Sequence, residues 1–130
     1  MNNIGYVKSS KKYAKSYCKT LDIVAREGKY LLLTKGFPEN VILDFIKMIE
    51  KNNLIQFFAI KDETVIGWCD IRPKNIEGFN HVGELGIGIL PGFKHKGIGS
   101  ALLKLAIEDV KKNKKIEKIE LDVFNSNKII

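Results

Sequence analysis

The feature that most limits the fold is a glycine-rich turn between an apolar strand and an amphipathic helix. Residues 82–90 form an apolar run interrupted by three glycines, and apolar side chains recur at helical spacing after Gly97. The sequence PGFKHKGIGS, residues 91–100, lies between them. Residues 116–124 then alternate between apolar and charged side chains. We therefore predict a strand–helix–strand unit with a right-handed crossover.

The first half of the chain predicts two helices. Apolar side chains at three- and four-residue steps predict a helix that Ser9 or Ser10 caps and that ends before Gly28. A second helix is predicted to begin with Pro38 in its first turn and to end at Asn52-Asn53. Its predicted apolar stripe consists of Val41, Ile42, Phe45, Ile46, Met48 and Ile49.

The middle of the chain predicts a β-hairpin. Residues 54–60 and 65–71 are apolar, and the polar residues between them are typical of a turn. Residues 4–7 predict a further short strand. We expect residues 1–130 to form one α/β domain, with a mixed sheet and helices on both of its faces.

Composition restricts the classes of function. A net charge of +7 favours acidic partners such as nucleic acid, anionic lipid or a phosphate-bearing small molecule. No apolar run resembles a signal peptide or a membrane span, and Cys18 and Cys69 are not at metal-ligand spacing. We expect a cytoplasmic protein with no metal site, in which both cysteines are reduced core residues.

The glycine turn has the chemistry of an anion site. The first N–H groups of a helix carry partial positive charge and point away from the helix. Gly97 and Gly99 lack the Cβ atoms that would block a close approach, and Lys94, His95 and Lys96 add basic side chains. We predict a cradle for phosphate or pyrophosphate.

Two familiar phosphate loops do not match this turn well. The nucleoside-triphosphate loop G-x-x-x-x-G-K-[ST] aligns from Gly92, but Ile98 stands where the lysine is required. The dinucleotide fingerprint G-x-G-x-x-G has Leu102 in place of its last glycine. An acidic residue does follow about twenty positions later, so this second alternative is weakened but stays open.

A third phosphate loop matches better. The residues KHKGIG, 94–99, resemble motif A of the GNAT superfamily of N-acetyltransferases, [RQ]-x-x-G-x-[GA], with lysine at the first position. The segments ELGIGILPGF and IELDVFNSNKII resemble the strands before and after that motif, and FFAIKDETVIGWCDIRP resembles the hairpin that precedes them. The resemblance covers residue 50 to the end well, and the first fifty residues in layout alone.

The resemblance implies a fold, a cofactor and a set of binding residues. The fold would be a central, mostly antiparallel twisted sheet flanked by helices. The cofactor would be acetyl-CoA, and an amine would be the acceptor that attacks it directly. The implied cofactor contacts are backbone groups of Ile87, Gly88 and Ile89 for the pantetheine arm; N–H groups of Lys94, His95, Lys96, Gly97, Ile98, Gly99 and Ser100 for the pyrophosphate; and Asn127, at the place of a family asparagine.

The acceptor amine needs a base, because an ammonium group cannot attack a thioester. The family often places a carboxylate on the strand before motif A, and Glu84 is therefore the predicted base. Asp70 and His81 are alternatives, and Glu27 is a candidate for the acceptor site.

The chain ends at Ile130, where the family continues with a helix that carries a catalytic tyrosine and with a last strand. We therefore expect a C-terminally truncated domain that binds the cofactor and turns over slowly, and that can form a homodimer through the exposed strand edge. Two alternatives stay open. One is a catalytically impaired CoA-binding member of the family, and the other is a basic nucleic-acid-binding module built on residues 111–118.

Overall fold

A five-stranded sheet and three α-helices make up the part of the chain that the computed structural model describes, residues 3–27, 37–73, 82–112 and 118–121. The predictions for Gly28, His81 and Asn127 lie outside these residues. In chain order the elements are β1 (Gly5–Lys8), α1 (Ala14–Arg26), α2 (Glu39–Lys51), β2 (Ile55–Lys61), β3 (Thr64–Pro73), β4 (Val82–Ile89), α3 (Ile98–Lys112) and β5 (Lys118–Leu121).

The sheet is mixed, as predicted. The strand order is β1-β2-β3-β4-β5, with antiparallel pairing from β1 to β4 and parallel pairing between β4 and β5. Helix α3 lies between β4 and β5 in the chain. Parallel neighbours need a long crossover connection, which is usually an α-helix. The prediction of a mostly antiparallel sheet with a closing strand–helix–strand unit is confirmed.

Helices cover both faces of the sheet. On one face Leu102 and Ala106 of α3 belong to the same buried cluster as Ala59 and Cys69. On the other face α1 and α2 pack against Phe58, Val65 and Trp68. The buried residues of this second cluster are Ala14, Tyr17, Leu21, Val24, Ile42, Ile46, Phe58, Ile60, Val65 and Trp68. Adjacent strand residues such as Trp68 and Cys69 point to opposite faces, so each strand contributes to both cores.

The first two helices differ slightly from the prediction. Ser10 is the capping serine, since its Oγ accepts a hydrogen bond from Lys12 N, but one 3-10 turn precedes α1. Pro38 stands just before α2 and not inside its first turn. Ile42, Ile46 and Ile49 are buried, as predicted, whereas Val41 and Met48 are 43% and 39% exposed. The apolar stripe of α2 is therefore wider than the side of the helix that is buried in the core.

Two hydroxyl groups attach α1 to the sheet. Val65 N donates to Ser16 Oγ at 2.8 Å, and Val65 O accepts from Thr20 Oγ1. Ala59 pairs with Gly67 whereas Ile60 pairs with Val65, so Ile66 is an extra residue in β3. Such a bulge interrupts the ladder, and the serine and threonine supply hydrogen-bond partners beside it.

The β2–β3 hairpin has a strained turn that predicts a stabilising substitution. Lys61 pairs with Thr64, and the two residues between them, Asp62 and Glu63, have φ values of 50° and 63°. A non-glycine residue in this region carries a steric cost, partly offset by the entropy that glycine loses on folding. We expect Glu63→Gly to raise the free energy of unfolding in urea by about 0.5–1 kcal/mol. Glu108→Gly, within α3, should instead lower it, and equal effects would contradict the prediction.

Candidate active site

The turn before α3 is built from two residues in the left-handed region of the backbone. A 3-10 turn at Pro91–Phe93 closes with a 2.9 Å hydrogen bond from Phe93 N to Leu90 O. His95 and Gly97 then have φ values of 63° and 80°. Glycine adopts this conformation readily, whereas histidine does so at a cost. These two reversals direct the chain from the end of β4 into the first turn of α3.

Six consecutive backbone N–H groups at this turn have no acceptor within the part of the chain that the structure describes. Among the described residues, no acceptor is found for the backbone N–H groups of residues 95–100, and Ala101 N is the first to bond, to Gly97 O at 3.1 Å. A Cβ atom added at Gly99 would meet only Ile87 Cδ1, at 3.8 Å, and one at Gly97 would meet nothing within 4 Å. The residues present therefore fit a phosphate-bearing group, because donors and open space coincide at a helix N-terminus.

The basic side chains of the turn have different environments. Lys94 Nζ lies 3.3 Å and 3.1 Å from the two carboxylate oxygens of Glu27, and both side chains are mostly buried. His95 and Lys96 are exposed. The fold thus brings Glu27, at the end of α1, to the turn, although 67 residues separate it from Lys94.

The glycines of β4 make room for side chains of β3. Gly88 pairs with Trp68, and a Cβ atom added to it would lie only 2.3 Å from an atom of the Trp68 indole ring. Ile87 and Ile89, on either side, pack against the core under α3. Glycine in a strand often marks the close approach of another backbone or a ligand. Here the indole ring of Trp68 requires the glycine at position 88.

A buried polar network lies beside Gly86. Arg72 Nε donates to Asp70 Oδ1 at 3.0 Å, and Gln56 Nε2 donates to Asp70 Oδ2 at 3.1 Å. Tyr17 Oη lies 3.4 Å from the same Gln56 nitrogen. Burial, and then the charge of Asp70, raise the pKa of Tyr17, so the phenol stays protonated. Polar residues inside apolar strands were the sequence signal for this network, of which only Asp70 was singled out.

The predicted base occupies a defined register position. Glu84 lies on β4, opposite Arg72 of β3 and opposite Glu120 of β5. Asp70 is 4% exposed and already accepts hydrogen bonds from Gln56 and Arg72. The assignments of Glu84 and of the cofactor-binding residues stay predictions at this point.

Comparison with known proteins identifies the family. The sequence model of the "Acetyltransferase (GNAT) family" matches residues 19–129, which is most of the chain. The chain belongs to the GNAT acetyltransferase family. A search of curated proteins found no match.

Solved structures have the same fold as this GNAT chain. A GNAT-family acetyltransferase from Streptococcus pneumoniae is 22% identical, with a TM-score of 0.83, over 92% of this chain and 73% of its own. Ribosomal-protein-alanine N-acetyltransferase from Brucella melitensis is 16% identical, with a TM-score of 0.77, over 85% and 68%. A phosphinothricin acetyltransferase from Sinorhizobium meliloti, solved with acetyl-CoA, is 18% identical, with a TM-score of 0.76, over 84% and 60%.

The described part of this GNAT chain contains neither a cluster of metal-ligating side chains nor a membrane-spanning helix. Residues 3–27, 37–73, 82–112 and 118–121 contain no group of three or more histidine, cysteine, aspartate or glutamate side chains that could hold a metal ion. In the same residues, no helix is long and apolar enough to cross a membrane.

The two cysteines of the GNAT chain should react at very different rates. Cys69 is buried, and burial followed by the charge of Asp70 raises its pKa to about 12. Cys18 is half-buried and donates to Phe37 O at 3.3 Å. At pH 8.5 we expect iodoacetamide to modify Cys18 first and Cys69 only after unfolding in urea, as measured by mass spectrometry. Labelling of native Cys69 at the rate of Cys18 would contradict this.

The raised pKa of Cys69 also predicts how stability depends on pH. The folded-state pKa lies above the ordinary thiol value of 9.0, so the neutral thiol stabilises the folded state fully below about pH 9. This contribution is lost as the pH rises from about 9 to about 12. Part of that decline in the free energy of unfolding should disappear in Cys69→Ala.

Proposed function

We propose that this chain binds acetyl-CoA and transfers its acetyl group to a primary amine of a small molecule or peptide. The observation that carries the proposal is the run of six N–H groups at residues 95–100, at the N-terminus of α3, for which the described residues offer no acceptor. Membership of the GNAT family supports the same conclusion.

The cofactor is assigned to the turn and to the end of β4. The N–H groups of residues 94–100 would hold its pyrophosphate, and Lys96 adds a positive charge at the surface. Backbone groups of Ile87, Gly88 and Ile89 would hold the pantetheine arm, in the manner of an added strand. Asn127 is assigned a further contact. When bound, acetyl-CoA supplies an acetyl group activated as a thioester.

Glu84 is assigned as the base that prepares the acceptor. An aliphatic amine is mostly protonated at neutral pH, and its nitrogen becomes nucleophilic only after a proton is removed. Asp70 is less suited to this role, because its two oxygens already accept from Arg72 and Gln56 inside the protein. Glu84 lies two residues before Gly86 on β4, the strand that is also assigned to the pantetheine arm.

Two properties of the whole protein belong to the same proposal. A cytoplasmic location agrees with Cys18 and Cys69, which are free thiols in the structure. Dimerisation through the edge beyond β5 stays a prediction.

Titration calorimetry and a turnover assay test the proposal together. We expect micromolar binding of acetyl-CoA, and release of free CoA thiol when primary amines are supplied. An oligonucleotide of mixed sequence, titrated at two salt concentrations, tests the nucleic-acid alternative. Binding of the oligonucleotide without binding of acetyl-CoA would overturn the proposal. Binding of acetyl-CoA without transfer to any amine would favour a CoA-binding protein without catalysis.

A further inference from the structure

One arginine is held in a fixed orientation by a buried carboxylate. Arg72 Nε donates to Asp70 Oδ1, and the Asp70 side chain is 6% exposed. Gln56, which is 1% exposed, donates a hydrogen bond to the other oxygen of that carboxylate. A carboxylate held by two donors leaves the guanidinium little rotational freedom, so Arg72 is oriented before any ligand arrives.

The outer part of this guanidinium is open to a ligand. A guanidinium has five N–H donors, and the contact with Asp70 uses the one on Nε. Among the described residues, Nη1 and Nη2 of Arg72 have no hydrogen-bond partner, and the side chain is 41% exposed. A planar fork of this kind matches the two oxygens of a carboxylate.

The fork lies against the strand that carries the proposed reaction. A Cβ atom added at Gly86 would lie 2.8 Å from Asp70 Oδ1 and 3.3 Å from an Nη atom of Arg72. Glycine at this position therefore makes room for the Asp70–Arg72 pair. Arg72 also stands directly opposite Glu84 in the β3–β4 register.

We infer that Arg72 recognises a carboxylate on the acceptor, which is therefore an amino-acid-like amine. The inference rests on the proposed function. Residues opposite each other in an antiparallel pair have Cα atoms about 4.5–5.5 Å apart. One acceptor with an amine and a carboxylate a few carbons apart can therefore lie beside both register positions, that of Glu84 on β4 and that of Arg72 on β3. Asp70 offsets part of the positive charge, so the paired N–H donors of the fork, more than its net charge, distinguish an acceptor with a carboxylate from one without.

Matched pairs of acceptors test this inference. Each amino acid is compared with its decarboxylated amine, for example phenylalanine with phenethylamine and leucine with 3-methylbutylamine. We expect the wild-type kcat/KM to favour the acid by about 10–100-fold, and Arg72→Gln to remove that preference mainly by raising KM. Arg72→Lys, which keeps the charge but not the fork, should retain part of it.

The other arginine of the chain is the control. Arg26 Nε also donates to an aspartate, Asp22, at 2.7 Å, but its side chain is 62% exposed on α1. Arg26→Gln should leave the preference unchanged, and thermal unfolding checks that each variant is folded. If Arg72→Gln lowers kcat/KM equally for acids and amines, Arg72 has a structural role, such as pairing with Glu84, and the inference is wrong.

The failure of the inference differs from the failure of the proposed function. A wild-type chain that acetylates amines without a carboxylate as well as it acetylates amino acids retains the proposed function and overturns this inference. If no amine is acetylated, the amino acids are titrated by calorimetry into the wild type and into Arg72→Gln, both with CoA present. If the amino acids bind to the wild type and not to Arg72→Gln, the inference is upheld even though the proposed function has failed. If they do not bind, or bind equally to both, the inference is overturned.

Discussion

Replacing Gly99 by glutamate should weaken acetyl-CoA binding by about 100-fold or more. The added carboxylate would stand among the free N–H groups at the N-terminus of α3, where the pyrophosphate is assigned, and like charges in contact cost several kcal/mol. The backbone at Gly99 is helical, and its nearest neighbour would be Ile87 Cδ1 at 3.8 Å, so the substitution adds little strain. At Gly97, by contrast, a φ of 80° would strain any side chain.

Two control variants show whether a loss of affinity comes from the carboxylate at position 99. One controls for the size of the new side chain, and the other for the change in the net charge of the protein. Gly99→Gln has nearly the same volume without the charge, and it should lose much less affinity in calorimetry. Gly5→Glu changes the net charge equally at β1, on the far side of the sheet, where an added Cβ atom meets nothing within 4 Å. It should bind as the wild type does. Normal binding by Gly99→Glu would place the pyrophosphate elsewhere.

Gly88→Ala should lower the free energy of unfolding by about 2–3 kcal/mol. This is near the upper end of the typical cost of adding a carbon atom to a well-packed core. The new methyl group would lie 2.3–2.7 Å from three atoms of the Trp68 indole ring, which is 3% exposed and packed against Tyr17. The ring has little room to move, because α1 covers it. Urea unfolding monitored by circular dichroism measures the loss.

A second substitution in Trp68 tests the cause of that loss. Trp68→Leu alone should be destabilising because it leaves a cavity. Combined with Gly88→Ala, the loss should be clearly smaller than the sum of the two single losses, because the added methyl group occupies part of that cavity. Strictly additive effects would mean that contact with the indole ring does not explain the glycine.

The elements of the fold were predictable because each depends on local periodicity. The residues that follow Gly97 repeat at helical spacing, and the residues from 54 to 71 change to short apolar runs around a polar turn. Burial of one face then requires the three helices and the hairpin that the structure contains. The boundaries shifted by a residue or two, as at Pro38, because helix ends depend on capping contacts.

The surroundings of the candidate site were less predictable. Gly86 and Gly88 are recognisable in the sequence as glycines within a strand, but which side chains lie against them depends on the β3–β4 register. A shift of one residue would have placed Cys69 and not Trp68 beside Gly88. The contact between Lys94 and Glu27 likewise joins residues that are distant in the chain.

By itself, the sequence determined the helices, the strands and the glycine turn at the N-terminus of α3. These features follow from side-chain periodicity and from the backbone freedom of glycine, which act over a few residues. Only the tertiary structure decided that Gln56, Asp70 and Arg72 form one network against Gly86. That network joins two neighbouring strands and lies against a third. The register of strands is set by packing of the whole sheet between its helices.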